Sequence, residues 1–122
     1  MKMLPFVMAG LMGLAALNVV AAELAAKTVE TINKNKSSML GQTIKAEGKV
    51  VKVNNGIMRR NFIHVQDGTG DADNNNLIVT STQTAAVGDL VVVSGVVMLN
   101  RDFGGGYMYP LLIDAATVTP KK

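Results

Sequence analysis

His64 is the only histidine of this 122-residue chain, and cysteine is absent. A serine nucleophile needs a base within hydrogen-bond reach, and no serine stands at a recognisable spacing from His64. Without thiols there are no disulfides, no thiolate metal centres and no lipid attachment through an N-terminal cysteine. Gly104-Gly105-Gly106 does not stand between a strand and a helix start, so it is not a phosphate loop. The acidic residues are scattered over turns. These features predict a binding protein, not an enzyme, with no cofactor and no assigned metal. Two metal patterns compete with that reading. His64 with Met58, Met98 and Met108 offers the thioether and imidazole groups that suit copper(I), and Met98 and Met108 would be neighbours across a hairpin. No Met-x-x-Met or His-x-His spacing supports the set, and methionine is an ordinary core filler. Asp71-Ala72-Asp73-Asn74-Asn75 resembles half a calcium loop, but its twelfth position is Thr82 and its sixth is no glycine, so it reads as a polar hairpin tip.

The residues best suited to chemistry are aromatic and cationic. Beyond the N-terminal segment the aromatics are Phe62, Phe103, Tyr107 and Tyr109, and Arg59, Arg60 and Arg101 stand close to them in sequence. Aromatic rings stack on planar ligands, and arginines bind phosphate or carboxylate groups.

Five strands must position them. Thr43 to Val53 alternates Ile44, Ala46, Gly48 and Val50 with Lys45, Glu47 and Lys49. The phase then changes at Val50-Val51, which predicts a bulge or bend beside Gly48. Asn54-Asn55-Gly56 is expected to break this strand. Arg60–Gln66 follows, closed by the turn Asp67-Gly68-Thr69-Gly70. The remaining strands are Leu77–Ser81, Leu90–Leu99, and Tyr107–Val118 with a kink at Pro110. One helix is expected from Thr28 to Leu40, capped by Thr28, stopped by Gly41, and carrying Val29, Ile32, Met39 and Leu40 on one stripe as a lid. Five short strands with turn signals indicate a small barrel or sandwich.

Residues 1–22 read differently. Lys2 is followed by an apolar run from Leu4 to Val20 and the small-residue exit Val20-Ala21-Ala22. That order predicts a cleaved secretory signal peptide, a periplasmic or secreted address, and one domain over residues 23–122. The run is too short and too rich in Gly and Ala for a spanning anchor, so no membrane insertion is expected after cleavage. Without Lys2 the 12 basic residues become 11 against 9 acidic ones, a net charge of +2. The overall pI of about 9.3 therefore overstates the attraction to polyanions, and Arg59-Arg60 is the largest basic cluster.

Gly48-Lys49-Val50-Val51 and Phe62-Ile63-His64-Val65-Gln66-Asp67-Gly68-Thr69-Gly70 resemble the anticodon-binding OB domains of class II aminoacyl-tRNA synthetases. Val87-Gly88-Asp89-Leu90-Val91-Val92-Val93-Ser94-Gly95 looks like the fourth strand of many OB folds. Closer still is the likeness to small exported bacterial proteins of the OB-fold nucleic-acid-binding type. The resemblance spans Thr43 to Val118. It implies a mainly β, five-stranded OB-fold barrel with one short N-terminal helix after the signal peptide. It also implies a ligand across strands two and three, framed by the one-two and four-five loops. On the second strand Ile63 and Val65 form the core face, which leaves Phe62, His64 and Gln66 on the other. In the synthetase pattern the residue matching Phe62 stacks on a base. Tyr107 and Tyr109 share a face, and the glycine run lets Phe103 fold back over the barrel. The expected ligand-binding set is thus Phe62, His64, Gln66, Arg59, Arg60, Arg101, Phe103, Tyr107 and Tyr109. Phe62 is expected to be exposed, so that its removal costs little stability. Three partners stay open: a single-stranded nucleic acid or other oligomer, copper in a metal-handling or redox accessory role, and an envelope protein bound by a structural or stress-related module.

Overall fold

A computed structural model describes residues 24–121, and the expected signal peptide lies outside them. Helices α1 (Val29–Lys34) and α2 (Lys36–Met39) precede strands β1 (Thr43–Ile57), β2 (Arg60–Gln66), β3 (Leu77–Ser81), β4 (Leu90–Asp102) and β5 (Met108–Pro120). The domain is mainly β, as expected. The strands close into a ring in the order β1-β2-β3-β5-β4. Among the described residues no helix is long and apolar enough to cross a membrane.

Closure depends on β1 serving two partners. Thr43 to Lys49 pair antiparallel with β4, and Lys49 to Ile57 pair antiparallel with β2. Gly48 stands at the changeover. A Cβ there would lie 2.6 Å from the Gln66 carbonyl oxygen and 2.6 Å from Val65 Cγ1. Only a residue without a side chain lets β2 approach this closely. The register then skips Val51, which is left exposed, so the phase change at Val50-Val51 is a bulge.

The seam between β3 and β5 has a single parallel pairing, Val79 with Ile113. Side chains reinforce it. Thr80 donates to Asp114 Oδ1 at 2.8 Å, Ser81 donates to the Ala116 carbonyl at 2.6 Å, and Gln83 Oε1 accepts from the Val118 N–H at 2.8 Å.

Inside the ring the packing is wholly aliphatic. Ile44, Ala46, Val50, Ile63, Val65, Leu77, Val79, Val93, Val97, Leu111 and Ile113 meet there, and Val29, Ile32 and Met39 close one end. The helical lid is therefore present but divided. Asn35 interrupts it at φ −113°, ψ 20°, and its side-chain amide donates to the Thr31 carbonyl at 3.0 Å. An asparagine that satisfies backbone groups locally competes with helix continuation. Two short helices replace the single expected one.

The start of α1 is held by the turn after β2. Asp67 Oδ2 accepts from the Val29 N–H at 2.9 Å, and Thr69 Oγ1 accepts from the Glu30 N–H at 3.0 Å. Thr28 Oγ1 accepts from the Thr31 N–H at 3.1 Å. Burial pushes the Asp67 carboxyl up, but the Thr69 hydroxyl and the surrounding backbone N–H groups outweigh it and hold it below its ordinary value. The Asp-Gly-Thr-Gly turn thus ends a strand and caps a distant helix.

Three strand ends differ from expectation. Asn54-Asn55-Gly56 does not break β1. It forms a second register shift, with the Gly56 N–H donating to Asn61 Oδ1 at 3.0 Å. The reversal is made by Met58 and Arg59, at φ 50° and 66°, between the paired Ile57 and Arg60. Anchoring by Asn61, which also donates to the Gln83 carbonyl at 3.0 Å, moves the turn past the Asn-Gly signal. β4 runs to Asp102 and β5 to Pro120, beyond the expected Leu99 and Val118. Continued pairing of Arg101 with Tyr109 and Asp102 with Met108 extends this hairpin past the ring.

Candidate ligand-binding face

The tip of the β4–β5 hairpin is a tight turn. The Phe103 N–H donates to the Tyr107 carbonyl at 2.8 Å, and the Gly104 N–H donates to Asp102 Oδ1 at 2.8 Å. Gly104, Gly105 and Gly106 all have positive φ, a conformation costly for side-chain-bearing residues. This turn delivers Phe103 onto the outside of β2.

There Phe62, Phe103 and Tyr109 form one cluster. Phe62 and Tyr109 stack at 5.3 Å with 29° between their planes. Phe103 meets Phe62 edge-on at 5.5 Å and Tyr109 at 6.0 Å. Phe62 does lie on the face opposite Ile63 and Val65, but its expected exposure is wrong. It is 1% exposed, because the hairpin covers it. Tyr107 and Tyr109 are not held together either: Tyr109 is half-buried in the cluster, whereas Tyr107 precedes β5 and is 47% exposed.

Arg60 and Arg101 converge on the same ring. Their Cζ atoms lie 5.1 Å and 4.9 Å from the Phe103 centroid. Such cation–π contacts orient guanidinium groups without neutralising them. Arg59, at the β1–β2 turn, is exposed and makes no such contact.

Farther along β2, His64 and Gln66 share a partner that the sequence reading missed. The Asn76 amide donates to His64 Nδ1 at 3.1 Å, and Gln66 Nε2 donates to Asn76 Oδ1 at 3.3 Å. Asn76 ends the polar run after Asp71, and only its seat beside β2 singles it out. Acceptance at Nδ1 places the neutral ring's proton on Nε2. Burial, then the charge of Lys52, pushes the His64 pKa below its ordinary value. The folded state therefore binds a proton less readily than the unfolded state. The stability this confers is present above about pH 6.5 and is lost as the pH falls through the folded pKa. NMR titration of the His64 ring should give a midpoint below 6.5, and His64→Gln should flatten the stability profile across that window. A midpoint at or above about 6.5, the ordinary histidine value, would contradict the burial of the ring beside Lys52.

The methionine set does not assemble. Met98 pairs with Leu112 and Met108 with Asp102, so the two are not neighbours across the hairpin. The Asp71 carboxylate accepts from the Asp73 N–H at 3.0 Å, closing its own turn. A separate groove of about 760 Å³ opens at the far end of β2, lined by Lys27, Lys49, Val51, Gln66, Leu90 and Lys121. Its walls hold none of the aromatic residues.

The geometry thus defines a closed five-stranded, mainly β domain whose aromatic residues lie outside an aliphatic interior, with two arginines against them. No protein-family model matches the chain, and a search of curated proteins finds no similar one.

Proposed function

We propose that this chain is an exported, non-enzymatic binding module of the OB-fold type. Its ligand is an oligomer with planar rings, a single-stranded nucleic acid in the first place, taken on the outer face of β2 beside the β4–β5 hairpin. One observation carries the reading: every aromatic residue from 24 to 121 lies outside the aliphatic interior of the ring, and three of the four form one cluster on the outer side of β2. Rings gathered between the one-two turn and the four-five hairpin stand where OB folds take oligomers, and stacking on bases is the usual mode. The export part of the reading rests on the signal-like order of residue types in residues 1–22, and protein recovered from its host beginning at Met1 would count against it.

The test is a titration of residues 23–122 against labelled oligothymidylate and a panel of neutral oligosaccharides. Phe103→Ala and Tyr107→Ala should each weaken binding by about 1–3 kcal/mol, the usual loss per stacked ring. Tyr107→Ala should leave the melting temperature unchanged, since that ring is about half exposed. Affinities unchanged in both variants would overturn the proposal.

A further inference from the structure

We propose that Arg60 and Arg101 form a phosphate subsite at the edge of the aromatic cluster. The inference rests on the strand-binding reading, in which the group held is a backbone phosphate of the ligand.

The two guanidinium groups come from different strands, β2 and β4, and meet at one ring. With Cζ atoms 5.1 Å and 4.9 Å from the Phe103 centroid, they lie within about 10 Å of each other. Like charges this close repel unless neutralised. Among the described residues neither makes an ion pair; the two ion pairs there belong to Lys34 with Glu30 and Lys121 with Glu47. The adjacent carboxylate, Asp102, is directed at the Gly104 N–H instead. Arg101 Nε is buried without a hydrogen-bond partner, so the ring, not a protein acceptor, sets the orientation of this group. Two oriented, unneutralised guanidiniums are suited to an oxyanion, which they bind through paired N–H donors. Lys52 stands opposite His64, and Lys49 opposite Gln66, both exposed. The cations thus continue along the strand for roughly 20 Å at about 3.3 Å per residue. That length would follow several successive phosphates and is not required for a single small anion.

The test compares three probes by fluorescence anisotropy or competition: oligothymidylate, its uncharged methylphosphonate counterpart, and inorganic tripolyphosphate. Oligothymidylate should bind at least about tenfold more tightly than the methylphosphonate strand, because only the former releases counterions. Arg60→Gln and Arg101→Gln should each lower the slope of log affinity against log salt by about 0.7, the value for one single-strand phosphate contact. Arg60→Lys should retain more of the slope than Arg60→Gln, and Lys34→Gln should leave it unchanged. Melting temperatures separate these effects from misfolding. Equal binding of charged and uncharged strands, with slopes unmoved in the variants, would overturn the subsite and leave the stacking face standing. Tripolyphosphate binding that needs Arg101, with neither strand bound, would support the subsite and overturn the strand reading. No binding of any probe would overturn both.

Discussion

Phe62→Ala should destabilise the fold by about 3–5 kcal/mol, the loss typical of emptying a buried phenylalanine site. The ring is 1% exposed and touches both Phe103 and Tyr109. Its removal would leave a cavity under the hairpin and take away the surface on which Phe103 rests. Arg60 and Arg101, stacked on Phe103, would lose their support in turn. Phe62→Leu keeps apolar volume and should cost clearly less. Chemical denaturation of both variants beside Val65→Ala decides the matter. A loss under about 1 kcal/mol for Phe62→Ala, against the range expected for a buried ring, would mean that the hairpin does not cover it.

The second large effect is expected at Gly48. A methyl group there would meet the Gln66 carbonyl oxygen and Val65 Cγ1 at 2.6 Å. The backbone oxygen cannot turn aside as a flexible side chain can, and it lies where β1 leaves β4 for β2. Gly48→Ala should cost about 3 kcal/mol, at the upper end of ordinary overpacking. Gly41→Ala provides the contrast. That residue has a positive φ of 79° and open space around its would-be Cβ, so only backbone strain of about 1–2 kcal/mol is at stake. Equal losses in the two variants, read from unfolding midpoints, would show that the strands are not in close contact at Gly48.

Both sites show how far a linear reading reaches. The two-residue alternation of Ile63 and Val65 against Phe62, His64 and Gln66 identified the faces of β2, because the pleat alone dictates it. The same alternation with a slip at Val50-Val51 marked the bulge beside Gly48. Neither pattern says what lies on top of a face. Exposure is a property of the other elements, and Phe103 and Tyr109 arrive from roughly forty residues away.

The hairpin turns illustrate the same limit from the opposite side. Asn55-Gly56 carries the stronger turn signal, yet the chain reverses at Met58-Arg59, because Asn61 ties Gly56 and Gln83 into one network. Local preference for a turn is worth about a kilocalorie, and a few tertiary hydrogen bonds together outweigh it.

The sequence by itself determined the mainly β class, the order and approximate limits of the five strands, the phase of β2, and the core pair Ile63 and Val65. These are short-range consequences of hydrophobic periodicity and turn chemistry. Only the tertiary structure decided that Phe62 is covered, that Tyr107 stands apart from Tyr109, and that Asn76 joins His64 to Gln66. It alone brought Arg60 and Arg101 to one ring and seated the start of α1 on Asp67 and Thr69. Each of these is a contact between segments distant in sequence, set by how the closed sheet aligns its strands and by which loop folds over which face.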